Sequence, residues 1–161
     1  MLFNPTNPAA LAAETQSLQK AAQFLGLRLY ALTARTVDEI DAAFAALAGL
    51  GTAALIVSGD PFFTNRRDQI VTLAARQRVP SIYVWREFAI SGGLMSYGND
   101  LAEGYRKLGA MAGKILRGVP PSELPVQQAV KLSLVINLDA AKALGITVSP
   151  LLLAQADEVI E

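Results

Sequence analysis

Asn4, Thr6 and Asn7 share one short loop, and Asp60 stands two residues before Phe62 in another. Arg86 adjoins Glu87, and Ser96 adjoins Tyr97. Each group follows or closes an apolar run that reads as a strand. The chemistry on offer is reversible binding. A guanidinium grips a carboxylate through two parallel hydrogen bonds. Aromatic faces in a cleft suit a planar or apolar ligand. Each position also has a plainer reading. Asn4-Pro5-Thr6-Asn7-Pro8 makes a turn and helix cap, and Ser58-Gly59-Asp60-Pro61 makes an N-cap. Phe62-Phe63 is either an exposed lid or a hydrophobic staple. Arg86-Glu87 is most simply a solvated ion pair. Ser91-Gly92-Gly93 is a flexible turn with the backbone freedom of a hinge.

The missing residue types exclude more than the present ones assert. There is no cysteine and no histidine, so disulfides, thiolate nucleophiles and Cys/His metal sites are ruled out. A Ser-His-Asp triad is impossible. No G-x-G-x-x-G, Walker or G-x-S-x-G pattern occurs. Asp60 and Glu87 as a carboxylate pair are a weak signal for catalysis. The chain is therefore read as a non-enzyme, with no cofactor and no metal. Fourteen basic residues balance fourteen acidic ones, which gives no electrostatic case for nucleic acid or anionic lipid. Hydrophobic residues reach 52%, yet no apolar run approaches membrane-spanning length. The first residues lack the regions of a signal peptide, so either the protein is cytoplasmic or its export signal lies outside this segment.

These groups need a scaffold, and the pattern of elements supplies one. Leu2-Phe3 is a strand stub, followed by a helix over 9–25 closed by Gly26. A strand over 27–32 precedes Thr36-Val37-Asp38-Glu39, a capping box for a helix to Leu47. The run 53–57 reads as a central strand buried on both faces. A helix over 66–78, a strand over 81–85, a polar linker over 86–93 and a strand over 94–97 follow. Asn99 or Asp100 then caps a helix to Leu116. The proline-rich stretch 119–125 predicts an extended connection. A last strand over 131–137, a short helix over 139–144 closed by Gly145 and a final helix over 151–160 complete the chain. Alternation of this kind predicts a doubly wound, mostly parallel, flavodoxin-like sheet in a three-layer α/β sandwich. Residues 1–161 then form one lobe: regular units over 1–91, a distinct segment over 92–118, and a return strand with helices over 119–161. In such a sheet ligands bind beyond the carboxyl ends of the strands, where all the residues named above are expected.

The chain resembles the second half of ABC-transporter substrate-binding proteins with the type I periplasmic binding fold. The likeness is carried by LFNPTNPAA, LIVSGDPFF, VPSIYVWREFAISGGLMSYGNDLAEGYRKLGAMAGKILRG and the tail LPVQQAVKLSLVINLDAAKALGITVSPLLLAQADEVIE. Their joint order covers nearly the whole chain. The resemblance implies two lobes joined by crossing segments, with a small molecule trapped by hinge closure. It implies a periplasmic or extracytoplasmic parent that delivers its ligand, an amino acid or other small carboxylate, to an ABC permease. Carried onto this sequence, the cleft positions are Asn4 to Asn7, Asp60 to Phe62, Arg86-Glu87 and Ser96-Tyr97.

Members of that family are about twice this length, so the chain reads as a truncated domain. In the type I layout, 92–118 would cross toward the first lobe. The apolar face of its helix (Leu101, Tyr105, Leu108, Met111, Ala112, Ile115) then needs a partner, and a homodimer is expected to provide it. Another class remains open, the small-molecule sensor domain of a signalling or regulatory protein, since the same fold serves there. The lack of a basic segment or helix-turn-helix counts against a transcription regulator.

Overall fold

The structure, a computed structural model, describes residues 1–6, 8–126 and 132–161. In chain order the elements are β1 (Leu2–Phe3), α1 (Pro8–Phe24), β2 (Leu32–Thr33), α2 (Val37–Leu50) and β3 (Leu55–Val57). Then come α3 (Pro61–Asn65), α4 (Arg67–Arg76), β4 (Ser81–Tyr83), α5 (Arg86–Ile90) and β5 (Met95–Asn99). The last are α6 (Leu101–Leu116), a 3₁₀ turn (Pro121–Glu123), β6 (Leu132–Asn137), α7 (Leu138–Leu144), α8 (Pro150–Gln155) and β7 (Glu158–Ile160).

Among the described residues these strands make one sheet in the order β2-β1-β3-β4-β5-β6-β7. All neighbours are parallel except β5 and β6, which run antiparallel. The carboxyl ends of β1 to β5 therefore share one edge of the sheet. β6 starts at that edge, with Leu132 beside Asn99.

Local chemistry explains the helix ends. Thr36 Oγ1 accepts from Glu39 N at 3.2 Å, and Gly51 closes α2 in the left-handed conformation at φ 58°. α2 then places Ile40, Phe44 and Leu47 on one stripe, all buried. They pack with Leu55 and Val57 of β3, Ile70, Val71 and Ala74 of α4, and Phe88 of α5. Tyr83 stacks on Phe88 with ring centroids 4.5 Å apart. Gly93 permits this: a Cβ there would stand 2.6 Å from Tyr83 Cε2 and 2.8 Å from the Phe88 carbonyl oxygen. On the opposite face α1 stands beside Ile56 and Val84 over an open apolar groove. α6 contributes no buried residue at all.

The structure corrects several sequence-based expectations. Residues 86–90 are not a linker but the helix α5, because Phe88 and Ala89 are drawn into the core. Two strands have other bounds: 27–32 shortens to Leu32–Thr33, and 94–97 moves and lengthens to Met95–Asn99. The predicted helix 66–78 starts one residue later and stops earlier, with α3 ahead of it and Gln77 as its cap. The proline-rich stretch contains a 3₁₀ turn that begins at Pro121, where a missing N–H costs nothing. The final helix ends at Gln155, and Glu158–Ile160 joins the sheet as β7. β6 offered an unpaired edge, and three residues of mixed character take up strand geometry against it.

Candidate functional site

The sheet edge carries two small recesses. The first lies at the ends of β1 and β3. Asn4 follows β1 directly, and its Nδ2 donates to Asp60 Oδ1 at 2.9 Å. Asp60 follows β3, and the same oxygen accepts from Phe62 N at 2.8 Å, capping α3. Asn4 Oδ1 in turn accepts from Thr6 N at 3.1 Å and from Thr6 Oγ1 at 2.8 Å. Asn4, Thr6 and Asp60, predicted from two separate loops, thus form one hydrogen-bonded cluster. Asn4 and Asp60 border a pocket of about 130 Å³ with Ser58 and Glu14. The plain and functional readings coexist, since Asp60 caps a helix while its other carboxylate oxygen makes no hydrogen bond among the described residues. Asn7 lies outside the described residues.

Phe62 and Phe63 are not a lid. Phe63 is fully buried, and Phe62 packs partly against the core, its ring tilted 51° to Phe63 at 5.5 Å. They are not a staple either: with Asp60 as the N-cap, the N′ and N4 positions that a staple pairs are Gly59 and Thr64.

The second recess lies at the ends of β4 and β5. Arg86 opens α5, and its partner is not the adjacent Glu87 but Glu158 of β7, 72 residues away. Nη2 donates to both carboxylate oxygens at 2.7 Å, and Nε donates to Oε2 at 3.2 Å. Both side chains are half-exposed. The Glu158 hydrogen bonds hold the guanidinium above its usual pKa, partial burial opposes them, and the charges of Glu158, Glu87 and Asp100 add to the rise. The recess holds about 90 Å³, with Ser96, Gly98, Asn99 and Asp100 on its wall.

β5 continues to Asn99, so Ser96 and Tyr97 stand within the strand rather than after it. They face opposite sides, as neighbours on a strand must. Ser96 is buried toward the second recess, whereas Tyr97 is exposed on the other face. Asn99 and Asp100 occupy the true strand end, and Asp100 Oδ1 caps α6 through Glu103 N at 3.1 Å. Glu158 escaped the sequence reading because its segment was taken for helix. No local pattern marks it, because its role comes from β7 lying beside β6.

Among the described residues no group of three or more metal-ligating side chains converges. No helix there is long and apolar enough to cross a membrane. The architecture is a polar sheet edge with two recesses, of about 130 and 90 Å³. A scan of protein families matches residues 1–160 to ABC transporter substrate binding protein.

The chain belongs to this family.

Solved structures agree on the fold of this substrate-binding domain. A conserved domain protein from Vibrio cholerae is 25% identical with a TM-score of 0.84, over 98% of this chain and 53% of that one. An ABC domain from Streptococcus pneumonia in complex with L-Trp is 22% identical, TM-score 0.85, over 99% of this chain and 53% of that one. The ligand-free, open structure of a substrate binding protein with adhesive properties from Clostridium difficile is 23% identical, TM-score 0.68, over 99% and 52%. No curated protein sequence matches. The substrate-binding domain spans about half the length of the solved relatives it resembles.

Proposed function

We propose that this chain is one ligand-binding lobe of a small-molecule receptor that serves an ABC permease outside the cytoplasmic membrane. Asn4, Thr6 and Asp60 contact the ligand, with Glu87 and Asn99 flanking them on the same edge. The observation that carries this reading is the Asn4–Thr6–Asp60 cluster, built from two loops at the carboxyl ends of adjacent strands. Ligands of doubly wound folds bind at such edges. The relative held with L-Trp makes an amino acid the first ligand class to screen. A thermal-shift screen of amino acids tests it on a receptor that contains this lobe. Asp60→Asn keeps the cap and the Asn4 hydrogen bond but removes the charge. It is expected to weaken ligand binding at least about tenfold with little change in melting temperature. Unchanged affinity removes Asp60 from the site.

The segment 92–118 serves as the crossing between lobes. The chain leaves the sheet after Asn99 and returns beside it at Leu132, which suits an excursion to another body. Tyr105, Leu108 and Ile115 of α6 are exposed along one stripe. In the isolated chain a second copy covers this stripe, giving a homodimer. Light scattering that reports a monomer at micromolar concentration refutes the dimer and leaves the receptor reading intact.

A further inference from the structure

We infer that Glu158 is a specificity residue: it occupies the Arg86 fork and keeps ligand carboxylates off the β4–β5 wall of the cleft, leaving that wall to neutral or cationic groups. The inference rests on the receptor role proposed above for the location of the cleft, but not for the state of Arg86.

An arginine at a strand end is the expected clamp for a ligand carboxylate. Here Nε and Nη2, one of the two edges through which a guanidinium grips a carboxylate in bidentate fashion, are both taken by Glu158. Small residues clear the path: Ser96 and Gly98 line the recess where Arg86 reaches from the end of β4 to β7. A ligand carboxylate that gripped this edge would have to displace Glu158. The released Glu158 would then sit half-buried beside Asp157, whose Oδ2 accepts from Leu134 N at 3.0 Å. Glu87 and Asp100 are close enough to act on the guanidinium, and they would repel the newcomer as well. Exchange trades one ion pair for an equal one and leaves the Glu158 carboxylate without its cation near Glu87 and Asp100. An uncharged or ammonium group meets no such barrier. For an amino-acid ligand, the carboxylate must be received elsewhere than at Arg86.

The test follows the Arg86 Nε–H resonance of the ¹⁵N-labelled chain during titration with acetate, with assignment by Arg86→Lys. In the wild-type chain the resonance is expected to show no saturable shift. In Glu158→Gln the freed fork is expected to bind acetate at least about tenfold more tightly. A saturable shift in the wild-type chain overturns the inference. That wild-type measurement decides even if the variant fails to fold. A second arm compares tryptamine with indole-3-propionate, which share a ring and differ in charge, as stabilisers of a receptor containing this lobe. Tryptamine is expected to be preferred by the wild type, and the preference to shift toward indole-3-propionate in Glu158→Gln. An unchanged preference counts against the inference. If neither compound nor L-tryptophan binds while the acetate result holds, the proposed ligand class fails and the role of Glu158 stands.

Discussion

Replacing Gly98 by alanine should cripple the fold, whereas the same change at Gly104 should strengthen it. A Cβ on Gly98 would lie 2.1 Å from the Val84 carbonyl oxygen and 3.0 Å from both the Val84 carbonyl carbon and Cγ1. Ordinary contact would require a retreat of about 1 Å by one of two paired strands. The obstacle is backbone at the end of β4, not a side chain that can rotate away. Overpacking usually costs about 1–3 kcal/mol, and a rigid backbone clash belongs at the top of that range. Gly104 lies in α6 with nothing within 4 Å of a new Cβ. There alanine gains about 0.5–1 kcal/mol from helix propensity alone. Urea denaturation followed by circular dichroism separates the two. With a slope near 2 kcal/mol/M, Gly98→Ala lowers the midpoint by about 1.5 M and Gly104→Ala raises it by about 0.3–0.5 M. A Gly98→Ala protein within about 0.5 kcal/mol of wild type would refute the claim that β4 and β5 need a glycine to approach.

Two further outcomes follow from strain and burial. Arg78 holds a left-handed conformation at φ 53°, so Arg78→Gly should raise stability by up to about 1 kcal/mol; a loss measured by thermal melting would contradict it. Burial pushes the Tyr83 hydroxyl up to about 12; Ser81 pulls it back slightly, though the hydroxyl has no partner at hydrogen-bonding geometry. An unfolded tyrosine ionises near 10, so this group's stabilising contribution is intact below pH 10 and is lost as pH climbs toward 12. The loss should be about 2–3 kcal/mol and absent in Tyr83→Phe when alkaline denaturation curves are compared.

The local signals in the chain were legible wherever one residue type answers one backbone need. Thr36 and Asp100 cap the helices that follow them, and Gly51 and Gly145 end helices in the left-handed conformation. The apolar run around Leu55 and the regular spacing of helices made the parallel α/β class readable. The pairing of Asn4 with Asp60 was half legible, because the strand-end rule names both loops without saying that they touch.

Sequence by itself therefore determined the fold class, the family and the Asn4, Thr6 and Asp60 side of the candidate site. The fold class and these loops depend on caps, turns and periodicities within a few residues, and the family on the order of short motifs along nearly the whole chain. Tertiary structure decided the antiparallel step between β5 and β6, the strand character of Glu158–Ile160 and the capture of Arg86 by Glu158. A three-residue run carries no periodicity that separates strand from helix, and an ion pair across 72 residues has no local trace. Only the free edge of β6 gives β7 its hydrogen bonds, and only β7 brings Glu158 within reach of Arg86.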